Sequence, residues 1–98
     1  MKPTLVIDPE AKSEFDEAYD FYQNRQIGLG DEFAGAIKTA IRGILALPKR
    51  HPVVLREIRR GRVIRFPFAI YYRIENSTIR IVSIFNTSRD PKTWQSRA

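Results

Sequence analysis

Residues Val63–Trp94, VIRFPFAIYYRIENSTIRIVSIFNTSRDPKTW, carry the clearest structural pattern in this chain of 98 residues. Apolar and polar side chains alternate over most of this region, which is typical of half-buried β-strands. The alternation breaks once, at Glu75-Asn76-Ser77-Thr78, and the region ends in the basic segment Arg89-Asp-Pro-x-x-Trp94. The pattern therefore predicts a β-hairpin, and the residues upstream are expected to give its sheet a core.

A two-residue loop at Asn76-Ser77 sets the predicted register of this hairpin. On one face it pairs Glu75 with Thr78, Arg73 with Arg80, Tyr71 with Val82, and Ala69 with Ile84. On the other face it pairs Ile74 with Ile79 and Tyr72 with Ile81, and it brings Phe68 near Phe85. The second face is apolar and is predicted to pack on helices, whereas the first face is mixed.

The mixed face places two like charges, Arg73 and Arg80, directly opposite each other. Such a pair destabilises a sheet by up to about 1 kcal/mol unless an anion lies between the two charges. Two interpretations stay open. Either Glu57 or Glu75 neutralises the pair, or the face is a groove for a polyanion or an acidic peptide, with Arg65 and Arg89 nearby.

The rest of the chain predicts a single domain with an α+β fold. It consists of an N-terminal strand, an antiparallel helical hairpin, and an antiparallel β-meander that packs on the helices. The predicted elements are a strand at Thr4–Ile7, a helix from Pro9 that ends between Gln23 and Gly28, a second helix capped by Asp31 that runs to Leu47, strands at Val54–Arg59 and Val63–Phe66, and a turn at Arg60-Gly61 between them. Asp8 is the candidate cap of the first helix, and Pro67 predicts a break before the next strand.

Charge is distributed unevenly along the chain, whose net charge is +6. Up to Pro48 there are five Lys and Arg residues against eight Asp and Glu residues, and from Lys49 onward there are twelve against three. Ten of those twelve are Arg, which makes the planar bidentate contacts that Lys cannot make. The second half is therefore predicted to bind an anionic partner, either nucleic acid or an acidic protein segment.

Several classes of protein are excluded by residues that are missing. There is no cysteine, and His51 is the only histidine, so neither a disulfide scaffold nor a thiolate or His-His metal site is expected. No apolar run approaches the roughly 20 residues that span a bilayer, and we expect a cytoplasmic protein. No cofactor is expected. A Gly-rich phosphate-binding loop would precede a helix, whereas Gly28-x-Gly30 follows one and is predicted to be a turn. An enzyme built from this set could bind phosphate but lacks an obvious general base.

The order of elements and motifs resembles the RelE/ParE superfamily of bacterial toxins. The motifs that carry the resemblance are Asp8-Pro-Glu-Ala, Leu47-Pro48 at the end of the second helix, Arg65-Phe-Pro-Phe-Ala-Ile-Tyr-Tyr-Arg73, and Arg89-Asp-Pro-x-x-Trp94. The resemblance implies a small α+β toxin of a type II toxin–antitoxin (plasmid stabilisation) module that is neutralised by a cognate antitoxin. RelE-like members cleave mRNA in the ribosome through a basic groove on the sheet. ParE-like members inhibit DNA gyrase.

The resemblance also implies roles for particular residues. Arg89 matches the arginine that contacts the scissile phosphate in RelE-like members, and Arg65 lies near a second functional arginine, so both would be catalytic in an mRNA endonuclease. Trp94 stands where RelE-like members carry a tyrosine, and Asn86 stands where many relatives carry a histidine. These departures favour the ParE-like interpretation.

Three functional hypotheses follow. The leading one is a toxin that arrests growth by binding DNA gyrase. The second is a ribosome-dependent mRNA endonuclease, and the third is a module that binds RNA or DNA without catalysis. Under each of them the target or its phosphates are expected to contact Arg73, Arg80, Tyr71, Asn86 and Trp94.

Overall fold

The computed structural model describes residues 3–98 and has an α+β architecture, as the sequence predicts. The elements are β1 (Thr4–Ile7), α1 (Pro9–Arg25), α2 (Leu29–Ala46), a 3₁₀ turn (Pro48–Arg50), β2 (Val53–Leu55), β3 (Ile58–Arg62), β4 (Phe68–Glu75), β5 (Thr78–Asn86) and α3 (Lys92–Gln95). The sheet has the order β1-β5-β4-β3-β2. β1 runs parallel to β5, and the other neighbouring strands are antiparallel.

The predicted helical hairpin is present, but its caps differ from the prediction. Asp8 occupies the N-cap position of α1, but its side chain accepts no capping hydrogen bond from the helix and accepts one from Arg80 Nη1 instead. The N-cap of α2 is Gly28, whose φ of 92° favours glycine. Asp31 therefore lies within the first turn, where its Oδ1 accepts a hydrogen bond from Tyr19 Oη at 2.7 Å and joins the two helices.

The region between α2 and β4 differs from the prediction. The predicted strand Val54–Arg59 is two strands, β2 and β3, joined by a tight turn in which Arg56 has a φ of 50°. The predicted turn at Arg60-Gly61 lies inside β3, and Val63–Phe66 is a bend that leads into β4 at Phe68. Gly61 allows α2 to lie close to β3, because a Cβ at position 61 would be only 2.7 Å from Ile44 Cδ1 on α2.

The β4–β5 register agrees with the prediction near the turn and departs from it farther away. The confirmed pairs are Glu75 with Thr78, Arg73 with Arg80, Ile74 with Ile79, and Tyr72 with Ile81. A bulge then adds one residue, Val82, to β5, so the predicted pairs beyond it are wrong. The observed pairs are Tyr71 with Ser83, Ala69 with Phe85, and Phe68 with Asn86.

The sheet separates two hydrophobic cores. The larger core lies between the sheet and the helical hairpin and includes Phe33, Ile44 and Tyr72. The second core lies on the opposite face and consists of Ile58, Ala69, Tyr71, Val82, Phe85 and Trp94. Because of the bulge, Phe85 belongs to the second core and Ile84 to the first, which reverses their predicted faces.

We predict opposite stability effects for two glycine-to-alanine substitutions. Gly61→Ala should lower the free energy of unfolding by about 1–2 kcal/mol, because its methyl group must displace the fully buried Ile44 side chain. Gly35→Ala is the control. It should raise the free energy of unfolding by up to about 1 kcal/mol, since Gly35 lies inside α2 with nothing within 4 Å of its Cβ position. Urea denaturation measures both, and a Gly61→Ala variant as stable as the wild type would contradict the packing argument.

Candidate functional site

The opposed arginines on the mixed face of the sheet are neutralised by carboxylates. Arg80 Nε donates to Glu75 Oε1 at 2.9 Å, and Arg80 Nη1 donates to Asp8 Oδ1 at 2.8 Å. Arg73 Nε lies 2.8 Å from Glu75 Oε2, in an ion pair that lacks hydrogen-bond geometry. Of the two predicted carboxylates, Glu75 is the one in contact. The two positive charges thus meet two negative charges at this end of the sheet.

The electrostatic effect of this cluster is visible at Glu75. The hydrogen bond from Arg80 is the main cause that holds the pKa of Glu75 below its ordinary value, and the charges of Arg80 and Arg73 add to it. A carboxylate with a lowered pKa stabilises the fold above its ordinary pKa, and this contribution disappears as the pH falls through the lowered value. Glu75 therefore stabilises the β4–β5 hairpin at neutral pH.

We predict that Glu75→Gln lowers the melting temperature at pH 7, because it leaves two opposed arginines with one fewer negative charge. The difference from the wild type should shrink in acid, as the pH falls through the lowered pKa of Glu75 and the wild-type carboxylate also becomes protonated. Asp16→Asn is the control, since its pair with Lys12 is exposed and should contribute little. Thermal unfolding at pH 7 and pH 3 checks this, and an equal deficit at both values would contradict it.

Arg65 is held on the helical side of the molecule. It lies in the bend before β4 with a φ of 76°, and its Nη2 donates to Glu32 Oε1 at 2.9 Å. Both side chains are largely exposed. Arg89, by contrast, follows β5 and lines a groove against α1 whose wall residues do not include Arg65. The two arginines therefore contact different elements of the fold.

Tyr71 and Trp94 form one buried stack. Their ring centroids are 3.8 Å apart with an interplanar angle of 14°, and Trp94 is only 3% exposed. The stack fastens α3 to the face of the sheet opposite the helices. These two residues therefore close the second core, and their rings are covered by each other. The Nε1–H of Trp94 is buried without a hydrogen-bond acceptor in the described chain.

Asn86 and Arg89 are the two predicted residues that meet in one cavity. They line a groove of about 300 Å³ between α1 and the end of β5, which we call the β5 groove. Its other wall residues include Glu14, Ala18, Phe21, Ile84 and Thr93. Asn86 Oδ1 accepts hydrogen bonds from the backbone N–H and the Oγ of Ser88, so its side chain shapes the turn after β5. Arg89 is exposed and has no carboxylate partner within residues 3–98.

Arg60 and Arg62 are two further candidates that the sequence pattern did not single out. They pair with Tyr71 and Ala69 of β4, which places them beside the second core on the face opposite the helices. Both are exposed, and no ion pair holds them in the part of the chain that the structure describes. The signal was present in the alternation Arg60-Gly61-Arg62, but a turn was predicted there.

The side chains available for catalysis are few. The pKa of Tyr72 is raised to about 12, chiefly by burial, and its hydroxyl donates to the Pro48 carbonyl at 2.6 Å. His51 packs against the Tyr72 ring in an edge-to-face arrangement.

Within residues 3–98 no three His, Asp or Glu side chains are grouped to hold a metal ion. Over the same residues, no helix is long and apolar enough to cross a membrane.

A comparison with protein families identifies the class to which this chain belongs. The family described as the ParE toxin of the type II toxin–antitoxin system parDE matches residues 5–91. The chain is therefore a member of the ParE toxin family, and the resemblance drawn from its motifs is confirmed.

Solved structures agree with this assignment at the level of the fold. One of them, the chromosomal ParDE TA system from P. aeruginosa, superposes with a TM-score of 0.77. The match covers 87% of this chain and 96% of that chain at 18% sequence identity. A search of curated proteins finds no match.

Proposed function

We propose that this chain is the toxin of a type II toxin–antitoxin module, that a cognate antitoxin neutralises it, and that it arrests growth by binding DNA gyrase. Membership of the ParE toxin family is the observation that carries the proposal. Such a toxin acts in the cytoplasm, where its target is. The predicted cytoplasmic location and the plasmid-stabilising role belong to the same proposal.

The identities and contacts of the residues that the family resemblance implies for mRNA cleavage favour a binding function over catalysis. Trp94 is stacked in the second core at the position where RelE-like members carry a tyrosine, and an indole cannot act as a phenolic acid. Arg65 is paired with Glu32, away from Arg89. Asn86 replaces a titratable histidine with an amide that shapes a turn. Glu14 and Glu17 are the carboxylates that line the groove beside Arg89, and Glu14 is already bound by Arg97 and by the Ile84 N–H.

The basic surface that remains free is suited to an acidic protein partner. Three arginines form ion pairs with carboxylates of the same chain, namely Arg65, Arg73 and Arg80. Arg60 and Arg62 do not, and β-strand geometry spaces them about 7 Å apart on one face. An antitoxin segment with alternating acidic residues in an extended conformation has the same spacing. This surface is the proposed electrostatic contact with the antitoxin.

The gyrase proposal predicts growth arrest with DNA damage when the chain is expressed without its antitoxin. The purified chain should also inhibit the supercoiling of plasmid DNA by gyrase, and added antitoxin should restore supercoiling. Primer extension on cellular mRNA provides the comparison, because a gyrase inhibitor leaves no codon-specific cuts.

Two results would overturn this proposal. Cuts at defined codons that appear only on translating ribosomes would show an mRNA endonuclease instead. Normal growth, with the soluble chain confirmed in the cells, would exclude both kinds of toxin. The third hypothesis, a nucleic-acid module without toxicity, would then be tested by the salt dependence of DNA and RNA binding.

We predict that the double substitution Arg60→Ala and Arg62→Ala weakens antitoxin binding about tenfold at physiological salt, because exposed charges at an interface contribute through Coulomb attraction. The loss should diminish at high salt as the charges are screened. The matched control is Lys38→Ala with Arg42→Ala on α2, which removes the same charge from a different surface. Calorimetric titration at two salt concentrations measures both, and equal affinities for the two variants would contradict a role for this strand.

A further inference from the structure

The end of the chain lies on the sheet with little of its own surface buried. We call residues 90–98 the C-terminal strap. Trp94 is the one buried residue of the strap, Arg97 and Ala98 are half-buried, and the others are exposed. Within the described chain, every backbone–backbone hydrogen bond of the strap joins two of its own residues. The strap can therefore leave the sheet without breaking a backbone hydrogen bond to it.

The side chain of Arg97 ties the strap to the rest of the molecule at several points. Its Nη1 donates to the Val82 carbonyl at 3.2 Å, and its Nη2 donates to Glu14 Oε2 at 2.8 Å and to Ser83 Oγ at 3.3 Å. The Arg97 and Glu14 side chains are only 20% and 22% exposed, so solvent screens their ion pair less than it screens a surface pair. Removal of this one side chain would break all of these contacts at once.

Trp94 fastens the strap and also carries a reason for it to open. Its ring stacks on Tyr71 and is 3% exposed. Its Nε1–H is buried with no acceptor in the described chain. A buried donor without a partner has lost the hydrogen bond that water would give it, and exposure of the ring restores that bond. The closed position of the strap is therefore opposed by the same side chain that fastens it.

The strap is joined to β5 by a connection that can bend. Thr87 fixes the end of the strand, because its N–H and its Oγ1 both donate to the Pro67 carbonyl, at 2.8 Å and 3.2 Å. The next two residues, Ser88 and Arg89, are exposed, and their hydrogen bonds in the described chain go back to Asn86. A change of backbone angles at these two residues would move the strap while β5 stays paired.

The strap covers an apolar face of the sheet. Trp94 is the only buried member of the second core that lies outside the strands. Arg60 and Arg62 lie on the same face, beside Tyr71 and Ala69 of β4. Opening of the strap would therefore uncover an apolar surface bordered by two arginines. Aromatic and arginine side chains are the residues that protein interfaces favour.

We propose that the C-terminal strap opens and closes as a unit on the native protein, while the sheet and the helical hairpin stay folded. The closed form masks the second core, and the open form exposes it beside Arg60 and Arg62. The ion pair between Arg97 and Glu14 sets the balance between the two forms. Such an opening is a local unfolding event, which costs less free energy than global unfolding. This inference goes beyond the proposed function and does not rest on it.

The first test uses Trp94, the only tryptophan of the chain, as a reporter of the strap. Hydrogen exchange of its indole N–H, followed by NMR, measures opening at the buried atom itself. The protection factor of this N–H should be at least about tenfold smaller than those of the most protected amides of β4 and β5, which exchange through global unfolding. Equal protection factors overturn the proposal, because the strap would then open only when the whole protein unfolds.

The second test changes the ion pair. Arg97→Ala should lower the protection factor of the indole N–H by a further factor of about ten, because it removes the charged hydrogen bonds that hold the strap. Lys92→Ala is the matched control, since it removes the same charge from an exposed position of the strap. The control should leave the protection factor unchanged, and the β4–β5 amides should change less than the indole N–H in both variants.

Two results of the second test contradict the proposal. Arg97→Ala could leave the indole N–H as protected as in the wild type, and the ion pair would then not control the strap. It could also lower the protection of the indole N–H and of the β4–β5 amides by the same factor, and the strap would then not be a separate unit. Neither result bears on growth arrest or on gyrase, so the proposed function stands or falls by its own experiments.

Discussion

The extra residue in β5, Val82, is the constraint on which the layout of this protein depends. Up to Ile81 the strand alternates as a regular partner of β4, with its apolar side chains facing the helices. The bulge shifts the alternation by one residue. Ile84 therefore still faces the helices, while Val82 and Phe85 face the opposite side. One strand thereby serves both cores, and its outer edge turns towards α1 and the C-terminal segment.

The C-terminal segment completes the molecule in two places. Trp94 stacks on Tyr71 and closes the second core, which would otherwise be an exposed apolar sheet face. Three residues later, Arg97 binds Glu14 and the edge of β5. A short α3 can do this because the Trp94 stack and the Arg97 ion pair both hold its C-terminal end. The sheet is consequently covered by helices on one face and by the chain terminus on the other.

The electrostatics divide the arginines into two groups with different uses. Arg65, Arg73 and Arg80 are bound by carboxylates and hold together the bend, the hairpin and the start of α1. Arg60, Arg62 and Arg89 are exposed, and no carboxylate of the described chain contacts them. This division agrees with the proposed recognition of an acidic protein by the unpaired arginines. Cleavage would need arginines and a proton donor assembled around one phosphate.

The sequence by itself determined the α+β class, the helical hairpin, the β4–β5 turn and the toxin family. These depend on local features: the period of apolar residues, proline stops, and motifs in a fixed order. Only the tertiary structure decided the split between β2 and β3, the bulge, and the partners of the arginines. Gly61 is inside a strand because α2 approaches it there, and Arg80 binds a carboxylate 72 residues away in the chain. The alternation of apolar and polar residues predicts whether a side chain is buried or exposed. It does not predict which residue contacts that side chain, because the contacting elements are distant in sequence. The exposed, unpaired arginines at positions 60 and 62 could therefore be recognised only in the structure.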